Sequence, residues 1–139
     1  MSISDTKKRA AKTAATYLAV ALVCAIFGTV YELFSYGVFS MFMIFCCMPP
    51  LVLGSVPFFA IYIFGKGMPG RLAFNLYNSG VATITVGFIF RGVIEIYGTT
   101  NRLSHIYSLF GALFIAASLT VYIIDIIRNK KTIAKSGNV

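Results

Sequence analysis

Residues 33–65, LFSYGVFSMFMIFCCMPPLVLGSVPFFAIYIFG, form the longest uncharged stretch of the chain. These thirty-three residues are too many for one membrane-spanning helix. Such a helix needs about twenty, because it rises about 1.5 Å per residue and the hydrocarbon layer is about 30 Å thick. The aliphatic pattern is interrupted near Ser35–Ser40, where Tyr36, Gly37 and two serines replace aliphatic residues. The stretch therefore predicts the end of one helix, a tight turn and a second helix.

Three shorter charge-free intervals surround this stretch, with nineteen, nineteen and twenty-two residues. None alternates as a membrane β-strand would, and each is far longer than the ten or so residues of a barrel strand. We therefore predict an all-α polytopic membrane protein that forms a single domain over residues 1–139. Its four transmembrane helices are predicted at about 13–36, 39–64, 72–98 and 104–127.

The composition excludes several soluble classes. Of 139 residues, 58% are hydrophobic and 12% are charged, whereas soluble domains carry about 25% charged residues. A disordered basic tail would be less apolar. A nucleic-acid-binding module would spread its cations over a binding surface, and here they lie in short clusters. Three cysteines are too few for a secreted disulfide scaffold. The class that the composition leaves is an integral membrane protein, for which we expect no nucleic-acid partner.

The net charge of +8 predicts the orientation of the chain. Ten of the twelve cations fall in the three segments that an even number of spans places on one side of the membrane. The positive-inside rule makes that side cytoplasmic, so both termini become short basic cytoplasmic tails facing anionic lipid head groups. We expect a bacterial plasma membrane. The ten cations are Lys7, Lys8, Arg9, Lys12, Lys66, Arg71, Arg128, Lys130, Lys131 and Lys135.

Three charges fall inside the outer half of the membrane: Glu32 on the first helix, and Arg91 and Glu95 on the third. A charge near mid-bilayer costs about 2.5 kcal/mol or more, so these residues need a structural or functional reason. Arg91 and Glu95 are four residues apart and share one helix face. Tyr31, Tyr97 and His105 are candidate contributors near the same outer surface.

Small residues surround these charges at three- and four-residue spacing, which allows close packing of helices in lipid. We therefore expect the first and third helices to face each other, with Glu32 reaching Arg91. Two interpretations stay open: an ion pair that locks two helices, or an outward-facing polar site for a cation, a proton or a small polar ligand. The small-residue stripes are Ala21, Ala25, Gly28 and Ser35 on the first helix, and Gly80, Thr83, Gly87 and Gly98 on the third.

The second helix contains Cys46-Cys47-Met48-Pro49-Pro50 near its middle. Each proline removes a backbone donor and clashes with the preceding turn, so Pro49 and Pro50 predict a break or a strong kink. In transporters, broken helices expose backbone groups to ligands, although kinked membrane helices also occur without this role.

The sequence contains no zinc motif, nucleotide fingerprint or catalytic constellation, so we expect no metal and no cofactor. We favour a small transporter or channel-like protein, which a homodimer would help to enclose. The first alternative is a non-catalytic membrane subunit that docks on a larger membrane complex. The second is a lipid- or quinone-linked membrane enzyme, against which the missing catalytic motifs argue.

Overall fold

A computed structural model describes residues 3–64, 69–99 and 102–137, and in these ranges the chain is helical with no strand. Four helices are long and apolar enough to cross a membrane, which confirms the predicted fold class. Lys66, one of the predicted cytoplasmic cations, lies outside the described residues. The helices are α1 (Ile3–Leu33), α2 (Met41–Phe64), α3 (Arg71–Ile96) and α4 (Ser104–Ser136).

The N-terminal end of α1 and the C-terminal end of α4 extend well beyond their predicted bounds. Helix α1 begins at Ile3 instead of about 13, and α4 ends at Ser136 instead of about 127. Both extensions are rich in lysine, arginine or alanine, which are good helix formers. Asp5 in the first turn of α1 and Lys135 in the last turn of α4 also complement the helix dipoles. The basic tails are therefore largely helical.

The predicted turn between α1 and α2 is confirmed. Tyr36 and Gly37 both have left-handed backbone angles, with φ of 53° and 88°. The Ser35 hydroxyl lies 2.7 Å from the carbonyl oxygens of Glu32 and Val38, which holds the end of α1 against the turn. Glu32 thus lies in the last turn of α1.

Helix α2 stays helical at Pro49 and Pro50, where the sequence predicts a break or a strong kink. Its hydrogen-bond pattern changes from α at Met41–Ile44 to 3-10 at Phe45–Cys47, to π at Pro49–Ser55, and back to α at Val56–Phe64. Tightening before the two prolines and widening after them accommodates their missing N–H groups without unwinding the chain. No unwound segment is therefore present within the described part of this helix.

A third proline in α2 is compensated from a neighbouring helix. Pro57 has no N–H group, so it cannot donate the usual α-helical hydrogen bond to the Leu53 carbonyl. The Tyr77 hydroxyl of α3 donates to that carbonyl instead. In a membrane every backbone acceptor needs such an internal partner, so Tyr77 ties α3 to the irregular part of α2.

Helices α1 and α2 pack antiparallel through small residues. A Cβ on Gly28 would lie 2.8 Å from the Met43 carbonyl oxygen, so only glycine permits this approach. Farther along, the Cys46 thiol donates to the Cys24 carbonyl oxygen at 3.2 Å. The ring of Tyr17 covers Gly54 at the other end of the contact.

Helices α3 and α4 also run antiparallel and cross closely at two glycines. A Cβ on Gly111 would lie 3.1 Å from the Gly80 carbonyl oxygen. Seven residues away on each helix, the buried Ser118 hydroxyl donates to the Ala73 carbonyl oxygen at 2.6 Å. A seven-residue spacing keeps contacts on one seam of two nearly antiparallel helices.

Helix α2 lies between α1 and α3 where the carboxylates are. Met43 contacts Gly28 of α1 on one side and Gly92 of α3 on the other. A Cβ on Gly92 would lie 3.0 Å from the Met43 Cβ. The expectation that the small-residue stripes of the first and third helices face each other is therefore wrong. Gly28 faces α2, while Gly80 and Gly87 of α3 face α4.

This antiparallel order gives the bundle two chemically different ends. The end that holds the start of α1, the start of α3 and the end of α4 carries nine cations among the described residues, and we call it the basic end. The opposite end holds Glu32, Arg91 and Glu95 in its helices and Arg102 in the loop before α4, and we call it the carboxylate end. The nine cations are Lys7, Lys8, Arg9, Lys12, Arg71, Arg128, Lys130, Lys131 and Lys135.

Replacing Gly111 with leucine should separate α3 from α4, because the new side chain would overlap Ile84 and press on the Gly80 carbonyl. We expect a loss of about 1–3 kcal/mol of unfolding free energy, typical of overpacking. Denaturation in detergent measures it. Ala112→Leu is the control, because Ala112 is the next residue and is exposed. Equal losses in both variants would contradict the close helix crossing.

Candidate functional site

Arg91 and Glu95 form an ion pair along one face of α3 at the carboxylate end. The Arg91 Nε and a Glu95 carboxylate oxygen are 3.6 Å apart. Their side chains are 31% and 35% exposed, so the pair is partly open to its surroundings. This contact is the one expected from their spacing of four residues.

The start of α2 supplies two further partners that the sequence did not reveal. The Ser40 side chain, which is 2% exposed, donates a hydrogen bond to the second Glu95 carboxylate oxygen at 2.7 Å. The Arg91 guanidinium carbon lies 3.9 Å from the centroid of the Phe42 ring, a cation–π geometry. The beginning of α2 thus contacts both members of the Arg91–Glu95 pair. No sequence signal marks Ser40 and Phe42 for this role, because it depends on the packing of α2 against α3.

Glu32 is placed differently from Arg91 and Glu95. Its Oε1 atom is fully buried and has no hydrogen-bond partner among the described residues. In the described part of the chain, Arg91 pairs with Glu95 and not with Glu32. The expected Glu32–Arg91 contact is therefore wrong. Its physical reason is α2, which fills the space between the helices that carry the two side chains.

Glu32 and Glu95 nevertheless approach the same part of α2. Glu32 follows Gly28 by one helical turn, and Glu95 follows Gly92 by three residues. Both glycines contact Met43, from opposite sides. The two carboxylates therefore flank the first turns of α2.

Glu32, Arg91 and Glu95 are the charged residues of the helices at the carboxylate end, and the exposed Arg102 lies beyond them in the loop before α4. Two carboxylates and one guanidinium give a formal charge of −1 when all three are ionised. A buried carboxylate oxygen without a donor is costly until a proton or cation approaches it. Among the described residues, no group of three His, Cys, Asp or Glu side chains could hold a metal ion.

The remaining predicted contributors divide into two groups. Tyr31, in the last turn of α1, and Tyr97, directly after α3, both lie at the carboxylate end, and their hydroxyls are close enough to influence each other. His105 is exposed at the start of α4, and its described hydrogen bond runs from its backbone N–H to the Arg102 carbonyl oxygen at 3.3 Å. Nothing in the described chain connects its side chain to the carboxylates.

Pro49 and Pro50 are buried farther along α2 and lie outside this cluster. Because α2 stays helical around them, they present no unwound backbone as a ligand site within the described residues. Their structural effect is the change from 3-10 to π geometry.

Comparison of the chain with protein-family models, curated proteins and solved structures finds no match.

A mutant cycle at Arg91 and Glu95 should reveal strong coupling. Arg91→Leu and Glu95→Leu each strand one charge, whereas the double variant removes both. We expect the double variant to be more stable than the sum of the two single losses predicts, by about 0.5–3 kcal/mol.

The matched control cycle combines Arg91→Leu with Glu32→Leu. Here we expect additivity within about 0.5 kcal/mol, because the two side chains do not interact directly. Unfolding free energies in detergent measure both cycles. Coupling in the control cycle together with additivity at Arg91 and Glu95 would contradict the observed pairing.

Proposed function

We propose that the protein is a small transporter or channel-like protein of the plasma membrane that binds a proton or a monovalent cation at Glu32. The observation that carries this proposal is the buried Glu32 Oε1, which has no hydrogen-bond partner among the described residues. Buried polar atoms are nearly always paired, so an unpaired carboxylate oxygen in a membrane helix favours an exchangeable partner.

The neighbouring charges support this assignment. The Arg91 guanidinium already interacts with Glu95 and with the Phe42 ring, so it does not neutralise Glu32. Ser40 supplies its hydroxyl proton to Glu95 as well. The groups that could satisfy Glu32 from within the cluster are therefore engaged elsewhere, and an incoming proton or cation takes that place.

The partial exposure of Arg91 and Glu95 supports access to the site. With about a third of each side chain exposed, the polar rim reaches the surface at the carboxylate end. If that end faces outward, as the cation distribution predicts, the site opens to the outer solution. Four helices enclose little space, so we propose a homodimer as the transport unit.

Replacing Glu32 with glutamine should strongly reduce proton or cation flux, because the amide has a similar shape but cannot release a proton or carry a charge. The wild-type chain and the variant are reconstituted in vesicles loaded with a pH-sensitive dye, and Na⁺ or K⁺ gradients are applied. We expect the variant's proton or cation flux to fall about tenfold or more, since a hydrogen bond to a charged group contributes about 1.5–3 kcal/mol.

Asp125→Asn serves as the control, because it makes the same acid-to-amide change at the basic end. Its flux should match that of the wild type. Two results would sink the proposal: a Glu32→Gln flux equal to that of the wild type, or a wild-type flux no greater than that of protein-free vesicles.

A second candidate function is that of a non-catalytic membrane subunit that docks through α4. One exposed stripe of this helix carries a small residue every four positions, the pattern of close helix–helix contacts in lipid. The stripe lies away from Gly111 and Ser118, which face α3. It consists of Ser108, Ala112, Ala116 and Thr120.

Replacing a small residue of this stripe with a large one should release a docked partner. If α4 is a docking helix, the wild-type chain should purify in mild detergent with a stoichiometric membrane partner, and Ala116→Phe should lose it. Ala117→Phe is the matched control, because Ala117 is also exposed but lies about 100° away around the helix. A chain that purifies without a partner, or equal loss in both variants, would contradict docking through this stripe.

A further inference from the structure

A groove of about 600 Å³ separates α1 from α3. Helix α2 closes its floor at Pro50, so the groove opens sideways from the bundle. Its lining is polar near the basic end and apolar towards the middle of the membrane. The residues that define it are Lys12, Tyr17 and Asn78 at the polar end, and Val81, Val86 and Ile89 beyond them.

Cations surround the polar end of the groove. Lys12 lines the groove itself, and the exposed Lys8 lies one turn earlier on the same face of α1. On α3, the exposed Arg71 precedes Asn78 by seven residues, which places both on the same helix face. An anionic group would therefore meet positive charge from both walls.

A hydrogen bond between α1 and α3 orients the Asn78 side chain, which lies deeper in the groove than these cations. The Tyr17 hydroxyl donates to the Asn78 side-chain oxygen, which orients the amide. The Asn78 NH₂ group has no acceptor among the described residues, while Asn78 lines the groove. The groove thus presents amide donors one level deeper than its cations, at the depth where a phospholipid carries ester carbonyls.

We propose that this groove binds an anionic phospholipid, with its phosphate at Lys8, Lys12 and Arg71, an ester carbonyl at Asn78, and one acyl chain along the apolar wall. The length fits this ligand. Eleven residues separate Asn78 from Ile89, which at 1.5 Å per residue is about 16 Å, or half of the ~30 Å hydrocarbon layer. One leaflet's acyl chain spans the same depth. This lipid site lies at the basic end and does not depend on the Glu32 proposal.

The test compares two lipids that differ in head group alone. The full chain in mild detergent is titrated with phosphatidylglycerol or phosphatidylcholine of identical acyl chains, and bound lipid is counted by native mass spectrometry. We expect one phosphatidylglycerol to bind more tightly than phosphatidylcholine, by about fivefold for each cation engaged. Lys12→Gln should weaken phosphatidylglycerol binding about fivefold and leave phosphatidylcholine unchanged.

A second variant tests the groove itself. Ala82 lines the groove and is exposed, so Ala82→Phe should fill it without disturbing helix packing, and should displace both lipids. Lys130→Gln and Ala117→Phe are the controls, because they make the same changes on α4 away from the groove. Both controls should bind lipid as the wild type does. Circular dichroism and thermal unfolding establish that each variant retains its helices.

Three results would overturn the proposal. Equal binding of the two lipids by the wild type would show that the groove does not select an anionic head group. Unchanged binding by Ala82→Phe would place the lipid outside the groove. Conversion of an oligomer to a monomer by Ala82→Phe, without a change in lipid binding per chain, would make the groove a contact between copies of the chain.

Discussion

The architecture depends on the close approach of three helices around Met43. Gly28 of α1 and Gly92 of α3 press against this residue from opposite sides, and a Cβ at either glycine would crowd the Met43 backbone. Small residues permit such approach in lipid, where the tight contact replaces the hydrophobic driving force available in water. The same contact brings Glu32 and Glu95 to the first turns of α2. The packing of the bundle and the arrangement of its polar end therefore have one physical origin.

Satisfying backbone groups inside the membrane is the second constraint. Pro49, Pro50 and Pro57 remove three backbone donors from α2. The helix changes its hydrogen-bond pattern around the first two prolines, and the Tyr77 hydroxyl of α3 donates to the carbonyl left without a donor by the third. Water is unavailable in the hydrocarbon layer, so these internal compensations are required. Glu32 is the exception at the carboxylate end, because its buried Oε1 lacks such a partner among the described residues. That contrast is why the proposed function centres on Glu32.

The two ends of the bundle suit different partners. Within the helices, the carboxylate end concentrates two acids around Arg91, whose charge is already engaged by Glu95. The basic end has an excess of cations, and there α1 and α3 leave a groove open to the side. One sequence thereby combines a small anionic cluster with a broad cationic surface. Their separation along the membrane normal lets each be tested without disturbing the other.

The sequence by itself determined the fold class, the four helices, the turn at Tyr36–Gly37 and the Arg91–Glu95 pair, because these depend on apolar run length and local spacing. Local spacing also explains the errors at the helix ends, where favourable residues continue α1 and α4 past their apolar runs. Only the tertiary structure shows which residues of different helices contact each other. Gly28 pairs with Met43, and Glu95 with Ser40, because α2 lies between α1 and α3. That order follows from shape complementarity between distant residues, which no local pattern encodes.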